Sequence, residues 1–317
     1  MPLNSVLRIG TRGSRLALCQ ARWVAGELGR RCPDVDVDVT IVKTTGDRVQ
    51  DKPLSELGVR GAFTKELDRA LLDGRVDMAV HSLKDVPTQD VPGIVLVAVT
   101  KREDPRDAFV GRETGSIEEL PEGAVVGTGS LRRRAQLLRM RPDLQVVPVR
   151  GNIDTRLSKL RDTNTLGGIL LAMAGVIRLG IEDQTIRPLD VPGWLPAPGQ
   201  GALAIAARCD DDALLAASGH LDDPAARIAT TSERAMLAGL AGGCSVPIGA
   251  FGRIEDGSLA LDGFVASPDG AVFVRDRVAG PPERPAELGK ALADRLVAQG
   301  GGDILAALEM ESERNHD

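Results

Sequence analysis

Residues 6–18, Val6-Leu7-Arg8-Ile9-Gly10-Thr11-Arg12-Gly13-Ser14-Arg15-Leu16-Ala17-Leu18, pass from an alternating apolar run through a Gly/Thr/Ser turn into a segment with apolar Leu16, Leu18, Trp23 and Val24. Side chains repeat every two residues on a strand and every 3.6 on a helix, so Val6 to Gly10 predicts a strand and Ser14 to Leu28 a helix. Val35 to Val42 alternates again, and the chain opens as a βαβ unit. Outward from it, a helix over Lys65 to Leu72, a buried strand at Met78 to Val80 and another at Ile94 to Val99 continue the alternation. They imply a largely parallel sheet covered by helices. Glu103 to Arg106, which contains Pro105, reads as a linker.

A second α/β series follows: strand Ala124 to Val126, turn Gly127 to Ser130, helix Leu131 to Met140, strand Val146 to Val149, helix Ile153 to Leu160 and strand Ile169 to Ala172. Its turn, Gly127-Thr128-Gly129-Ser130, echoes Gly10-Thr11-Arg12-Gly13-Ser14. Two similar lobes facing each other across a cleft are the expectation. After the Pro/Gly stretch Val191 to Gly201, the apolar run Ala202 to Ala207 is expected to return to the first lobe as a strand. Beyond Pro224 come a helix (Arg227 to Leu240), a hairpin (Ser258 to Val265 and Ala271 to Val278) and a helix (Ala286 to Ala298), the pattern of a small α+β domain. The expected division is 1–100 with 200–220, then 101–199, then 221–317.

A chain of 317 residues with 43% apolar content exceeds one hydrophobic core. Thr165 to Ile177 and Val191 to Ala207 are too short or too broken by proline to span a bilayer. No basic head precedes an apolar stretch at the N-terminus, so a cytoplasmic protein is expected. Cys19, Cys32, Cys209 and Cys244 show no CxxC spacing and His81, His220 and His316 are scattered, which suggests neither a metal site nor a disulfide framework. The net charge of −6 argues against a general nucleic-acid binder, and five Phe, two Trp and no Tyr leave few stacking platforms. Residues 128–161 nevertheless hold nine basic side chains against two acids, a local +7. Screening acts over about 8 Å at physiological salt, so a ligand there meets the local charge, and an anion is preferred.

A helix N-terminus offers unpaired N–H groups and the positive end of the helix dipole, which makes both Gly/Thr/Ser turns candidate anion cradles. Ser14 and Ser130 also serve as ordinary N-caps, and the residues alone leave both roles open. The second turn runs straight into Arg132-Arg133-Arg134, and another strand-to-helix junction supplies Arg150 ahead of Arg156. Guanidinium pairs carboxylates bidentately, although a charge run is as readily a solvated helix face. Ala79 to Pro87 leaves a buried strand and places Lys84 and Asp85 at its carboxyl end, where open α/β sheets bind ligands. A Lys-Asp pair on the surface is the plainer alternative. Cys244, in Gly242-Gly243-Cys244-Ser245, is either a small buried hydrophobe or a reactive, modified thiol.

Together these segments resemble the porphobilinogen deaminase family from about Leu7 to Ile304. The carriers are Arg8 to Ser14, Lys65-Glu66-Leu67, Ala79 to Pro87, Arg102-Glu103-Asp104-Pro105-Arg106-Asp107-Ala108 and Gly127 to Arg133. Arg150-Gly151-Asn152, Thr155-Arg156-Leu157, Pro198-Gly199-Gln200-Gly201, Glu233-Arg234-Ala235 and Gly242-Gly243-Cys244 add to them. The resemblance implies two similar lobes of periplasmic-binding-protein type with mixed, largely parallel sheets, plus a small α+β C-terminal domain. It implies a transferase of tetrapyrrole (haem) biosynthesis that links four porphobilinogen molecules into linear hydroxymethylbilane. It also implies a dipyrromethane cofactor held by a thioether to Cys244. Asp85 matches the family's catalytic carboxylate, which helps expel ammonia and stabilises the cationic azafulvene. Arg12, Lys84, Arg132, Arg133, Arg150 and Arg156 match side chains that hold acetate and propionate groups. Ser14, Ser82, Thr128 and Ser130 add hydrogen bonds, and Gln200 lines the cofactor pocket. A monomer with no metal, nucleic-acid or membrane partner is expected.

The chain departs from the family pattern at Glu56 and Arg60, where lysines are common, in a stretch (50–63) expected to be a lid. Gly167 and Gly168 stand where an acid is more usual. A non-catalytic two-lobed anion-binding protein would share the lobes and arginines but would have no use for a modified Cys244.

Overall fold

Every second residue of the opening strand and every third or fourth of the helix after it turn to one core, and this alternation of periods builds most of the chain. The computed structural model describes residues 6–48, 61, 63–240 and 246–314. In chain order its first half comprises β1 (Val6–Thr11), α1 (Arg15–Arg31), β2 (Asp36–Ile41), α2 (Thr45–Arg48), α3 (Lys65–Leu72), β3 (Met78–Ser82), a 3-10 turn (Leu83–Asp85), β4 (Ile94–Val99), β5 (Asp107–Gly111) and β6 (Val125–Gly127). There follow α4 (Leu131–Met140), β7 (Gln145–Val147), α5 (Ile153–Asp162), β8 (Gly168–Ala172), α6 (Met173–Arg178), β9 (Ile186–Pro188), β10 (Leu203–Arg208) and α7 (Asp212–Ser218). The last elements are α8 (Pro224–Gly239), β11 (Ile248–Glu255), β12 (Ser258–Ala266), β13 (Phe273–Gly280), α9 (Pro285–Leu296) and α10 (Gly302–Arg314). None of the described helices is long and apolar enough to cross a membrane.

The chain divides into two compact units, one of Met1–Asp104, Ile177–Ile181 and Gly199–Arg227, the other of Pro105–Val176, Glu182–Pro198 and Ile228–Asp317. The sheet of the first unit has the order β2-β1-β3-β10-β4. β1 runs parallel to β2 and β3, and β10 is antiparallel to β3 and β4. The larger sheet of the second unit has the order β7-β6-β8-β5-β9, with β6 parallel to β7 and β8 and with β5 antiparallel to β8 and β9. Position for position the two sheets share one plan, parallel strands with one reversed strand fourth in order. The short echo between the two turns therefore marks a repeated architecture. A separate antiparallel sheet, β11-β12-β13, completes the second unit.

In the first sheet β3 is covered on both faces. Met78 and Val80 join Ile9, Ala21, Val24 and Leu28 in one core, while Ala79 joins Leu67, Ala70 and Leu71 of α3 in another. Burying a leucine or isoleucine side chain of this kind contributes roughly 1.5–3 kcal/mol. α1 buries Ala17, Gln20, Ala21, Val24 and Leu28, and this helical spacing leaves Trp23 46% exposed rather than on the apolar face expected for it. In the second unit Phe109, Val126, Leu137, Leu170 and Trp194 form the lobe core, and Met236, Leu261, Val265 and Leu292 that of the C-terminal elements. Gly168 has a steric reason to lack a side chain, since a Cβ there would lie 2.3 Å from the Phe109 ring.

Candidate active site

In the first unit the chemistry gathers where β1 and β3 end and β10 begins, one edge of the sheet. β1 runs through Thr11, whose buried hydroxyl donates to the Ala17 carbonyl at 3.1 Å. Arg12 follows, its guanidinium 4.1 Å from the centre of the Phe63 ring. Ser14 then caps α1, its Oγ accepting from the Ala17 N–H at 3.2 Å. Its O–H hydrogen is not consumed by this role. No acid occupies the first turn of α1, so the positive helix end keeps its field.

β3 delivers Ser82, whose Oγ accepts from Gln20 Nε2 of α1 at 3.1 Å. The 3-10 turn follows at once. Buried Leu83 anchors it, with its N–H on the Ala202 carbonyl at 3.0 Å, and so Lys84 and Asp85 sit half-buried at the sheet edge. The antiparallel pairing of Leu203 with Ser82 brings the approach to β10 alongside. Lys84 Nζ donates to Gln200 Oε1 at 3.2 Å. Gln200 is 1% exposed and is held between Gly199 (φ 76°) and Gly201 (φ 97°), left-handed conformations that favour glycine. A Cβ at Gly201 would also meet the Glu103 carbonyl at 2.4 Å. Within this unit Lys84, Asp85 and Gln200 are thus brought together, with Ser82 adjoining. His81, one residue before, is pushed down to about 4 by burial and by the Arg12 charge, so it stands neutral at pH 7.

The second unit repeats the device. β6 ends at Gly127, and Thr128 follows with its N–H on the Val147 carbonyl and its Oγ1 accepting from Ser130 N–H at 3.2 Å. Ser130 caps α4, accepting from Arg133 N–H, and again no acid lies in the first turn. After β7, Arg150 and Gly151 lead to Asn152, which caps α5 by accepting from Thr155 N–H at 2.8 Å. Arg156 Nε donates back to the Gly151 carbonyl at 2.9 Å.

Arg132 and Arg133 do not stand on a solvated helix face, the plainer alternative for the run. Arg132 and Arg133 are each 5% exposed and turn inward onto Asp107, which is fully buried at the start of β5. Arg132 donates through Nη1 and Nη2 to Asp107 at 2.6 and 3.2 Å, and Arg133 through Nε and Nη2 at 3.1 and 2.7 Å. Burial alone would raise the Asp107 carboxyl, but the two guanidinium groups outweigh it and hold the acid well below the usual carboxylate range. Removing one partner from a buried ionic set of this kind costs roughly 3–5 kcal/mol. Arg141 is paired with Asp143 and Arg161 with Asp183. Counting the distant acids Asp107 and Asp183, one negative charge each, reduces the +7 of residues 128–161 to +5. Sequence reading missed Asp107 as a site component, because its partners lie 25 and 26 residues away.

Cys244, the expected attachment point, lies outside the described residues, as do Glu56 and Arg60 of the expected lid. Whether a dipyrromethane, rich in carboxylates, suits the rest is tested by one orphan. Arg150 Nη1 is buried and has no hydrogen-bond partner among the described residues, a donor that calls for an anion. In the same unit the N-terminus of α4 is free of first-turn acids, so the residues fit such a group.

Two α/β lobes on one plan, each with arginine and a capped helix end at its strand termini, define the class as a two-lobed α/β protein. The description "Porphobilinogen deaminase, dipyromethane cofactor binding domain" matches residues 7–216, and "Porphobilinogen deaminase, C-terminal domain" matches 228–298. Curated porphobilinogen deaminases are similar over nearly their whole length. That of Desulforudis audaxviator is 50% identical over 94% of this chain and 96% of its own. Those of Geobacter metallireducens (48%; 95% and 94%) and Pelobacter propionicus (49%; 94% and 96%) agree. The chain belongs to the porphobilinogen deaminase family. Among solved structures, a periplasmic binding protein of Salmonella typhimurium with high arginine specificity is similar over 69% of this chain and 92% of its own, at 15% identity and a TM-score of 0.38, too remote to carry function.

Proposed function

We propose that this chain condenses four porphobilinogen molecules head to tail into linear hydroxymethylbilane, releasing ammonia at each addition, with Asp85 as the catalytic carboxylate. The observation that carries the reading is the match of both family domains, the cofactor-binding one included, across residues 7–216 and 228–298. Cys244 is the attachment point, in a third domain of 221–317. When bound, the dipyrromethane supplies the pyrrole carbon from which the product chain grows.

Each addition breaks one C–N bond of the substrate and forms one C–C bond. After the fourth addition the C–C bond between the primer and the first added ring is cleaved with uptake of one water, whose hydroxyl becomes the hydroxymethyl end of the product and whose proton returns to the primer carbon. Loss of the amine leaves a positive charge spread over the pyrrole, and the Asp85 carboxylate stabilises it. The same oxygens accept the proton shed when the new bond forms. Arg12, Lys84, Arg132, Arg133, Arg150 and Arg156 hold acetate and propionate groups. Ser14, Ser82, Thr128 and Ser130 donate hydrogen bonds, and Gln200 lines the cofactor pocket beside Lys84. Fixed cations are needed because close carboxylate pairs repel by about 4 kcal/mol each at an effective dielectric of about 20. Porphobilinogen is the partner this chemistry calls for, acting without nucleic acid accords with the net charge of −6 and the few aromatic residues, and a cytoplasmic monomer without a membrane partner completes the reading.

The test is direct. Purified protein given porphobilinogen should release four ammonia molecules for every linear tetrapyrrole detected by mass. Substrate left unconsumed, or ammonia released without a tetrapyrrole, would refute the reading.

A further inference from the structure

Asp107 does more than neutralise charge. Arg132 meets it end-on through both Nη atoms while giving a further Nη1 bond to the Leu195 carbonyl at 2.7 Å. Arg133 meets it side-on through Nε and Nη2, with Nη1 on the Leu170 carbonyl at 2.9 Å. Trp194 Nε1 donates to Oδ2 at 2.7 Å. Gln136 clasps Leu195 from both sides, Nε2 to its carbonyl at 3.0 Å and Oε1 from its N–H at 2.8 Å. Each guanidinium has five N–H donors, so among the described residues Arg132 keeps Nε–H and one Nη2 hydrogen, and Arg133 keeps one hydrogen on each Nη. Both planes are fixed, and so is the aim of the remaining donors.

We propose that Asp107 is the positioning residue of the Arg132–Arg133 pair, holding both guanidinium planes so that their remaining donors meet ligand carboxylates, and that Trp194, bonded to the same carboxylate, reports their engagement. This rests on the reading that Arg132 and Arg133 hold such carboxylates. Charge and positioning predict opposite signs. Without the acid the pair gains a unit of positive charge, which by itself would draw an anionic substrate more tightly. The two like charges also repel at close range, rotate apart and lose their common aim, which weakens binding.

The experiment uses the holoenzyme and compares Asp107→Asn, Asp107→Glu and Arg132→Leu, each checked by thermal melt and by intact mass. In Asp107→Asn the KM for porphobilinogen should rise about tenfold or more, and Asp107→Glu should recover most of the loss. Trp23→Phe, altering an exposed residue, leaves Trp194 as the sole tryptophan. Its emission should shift on adding porphobilinogen, and the shift should vanish in the Asp107→Asn background. A folded Asp107→Asn with unchanged or lowered KM overturns the proposal. If that variant does not fold, a Trp194 emission indifferent to porphobilinogen overturns it. An Arg132→Leu protein with unchanged KM would instead bring down the underlying arginine reading.

Discussion

Asp85→Asn is expected to bind porphobilinogen with nearly the parental KM and to turn it over about 10²- to 10⁴-fold more slowly, the range for loss of a positioned proton acceptor or charge stabiliser. The substitution keeps size and shape, and the turn that carries it is pinned by buried Leu83 and by the Leu83–Ala202 backbone bond. The site should therefore stand while the negative charge is gone. Because each of the four additions creates the same kind of cation, every step should slow. Timed ammonia release under saturating substrate measures this, and a kcat within about tenfold of the parent would count against Asp85 as the catalytic carboxylate.

The second large effect belongs to Cys244. Cys244→Ser should fold, carry no adduct and form tetrapyrrole more than about 10³-fold more slowly, since a tethered reaction is lost and effective molarities for intramolecular steps reach about 10⁵ M or more. The serine oxygen is a far weaker nucleophile than a thiolate, so it should not take up the group. Product assays on the variant, alongside its melting curve, check this. A folded Cys244→Ser protein that forms tetrapyrrole at the parental rate is the contrary result.

Much of the lobe architecture was legible because it is local. A strand, a Gly/Thr/Ser turn and a capped helix lie within residues 6–31 and again within 125–140, so period and capping chemistry define them. The helices expected at Lys65–Leu72 and Leu131–Met140 end where the structure ends them. What escaped was set by distant partners. β5 and β9 are short and gain their identity by pairing with each other and, for β5, with β8. β11, absent from the expected hairpin, gains its identity from pairing with β12 and carries Gly249 and Gly252. In the fold a Cβ at either would collide, with the Phe264 ring at 2.3 Å and with the Ala229 carbonyl at 2.7 Å.

The candidate site shows the same divide. Ser14, Ser130, Lys84 and Asp85 were placed by their position at the ends of strands, a local signal. The inward turn of Arg132 and Arg133 was not legible, because a run of three arginines does not say which of them faces the core. Asp107, Leu170 and Leu195 decide it, and only the fold brings them to α4. Arg134, next in the same run, is exposed. One basic string thus divides between a buried ionic cluster and solvent.

The most direct measurement is the intact mass of the purified protein of unaltered sequence under denaturing conditions. Its mass should exceed that of the polypeptide by one covalently bound dipyrromethane, and the excess should be lost in Cys244→Ser. An active protein whose mass equals that of the bare polypeptide would rule out a tethered primer.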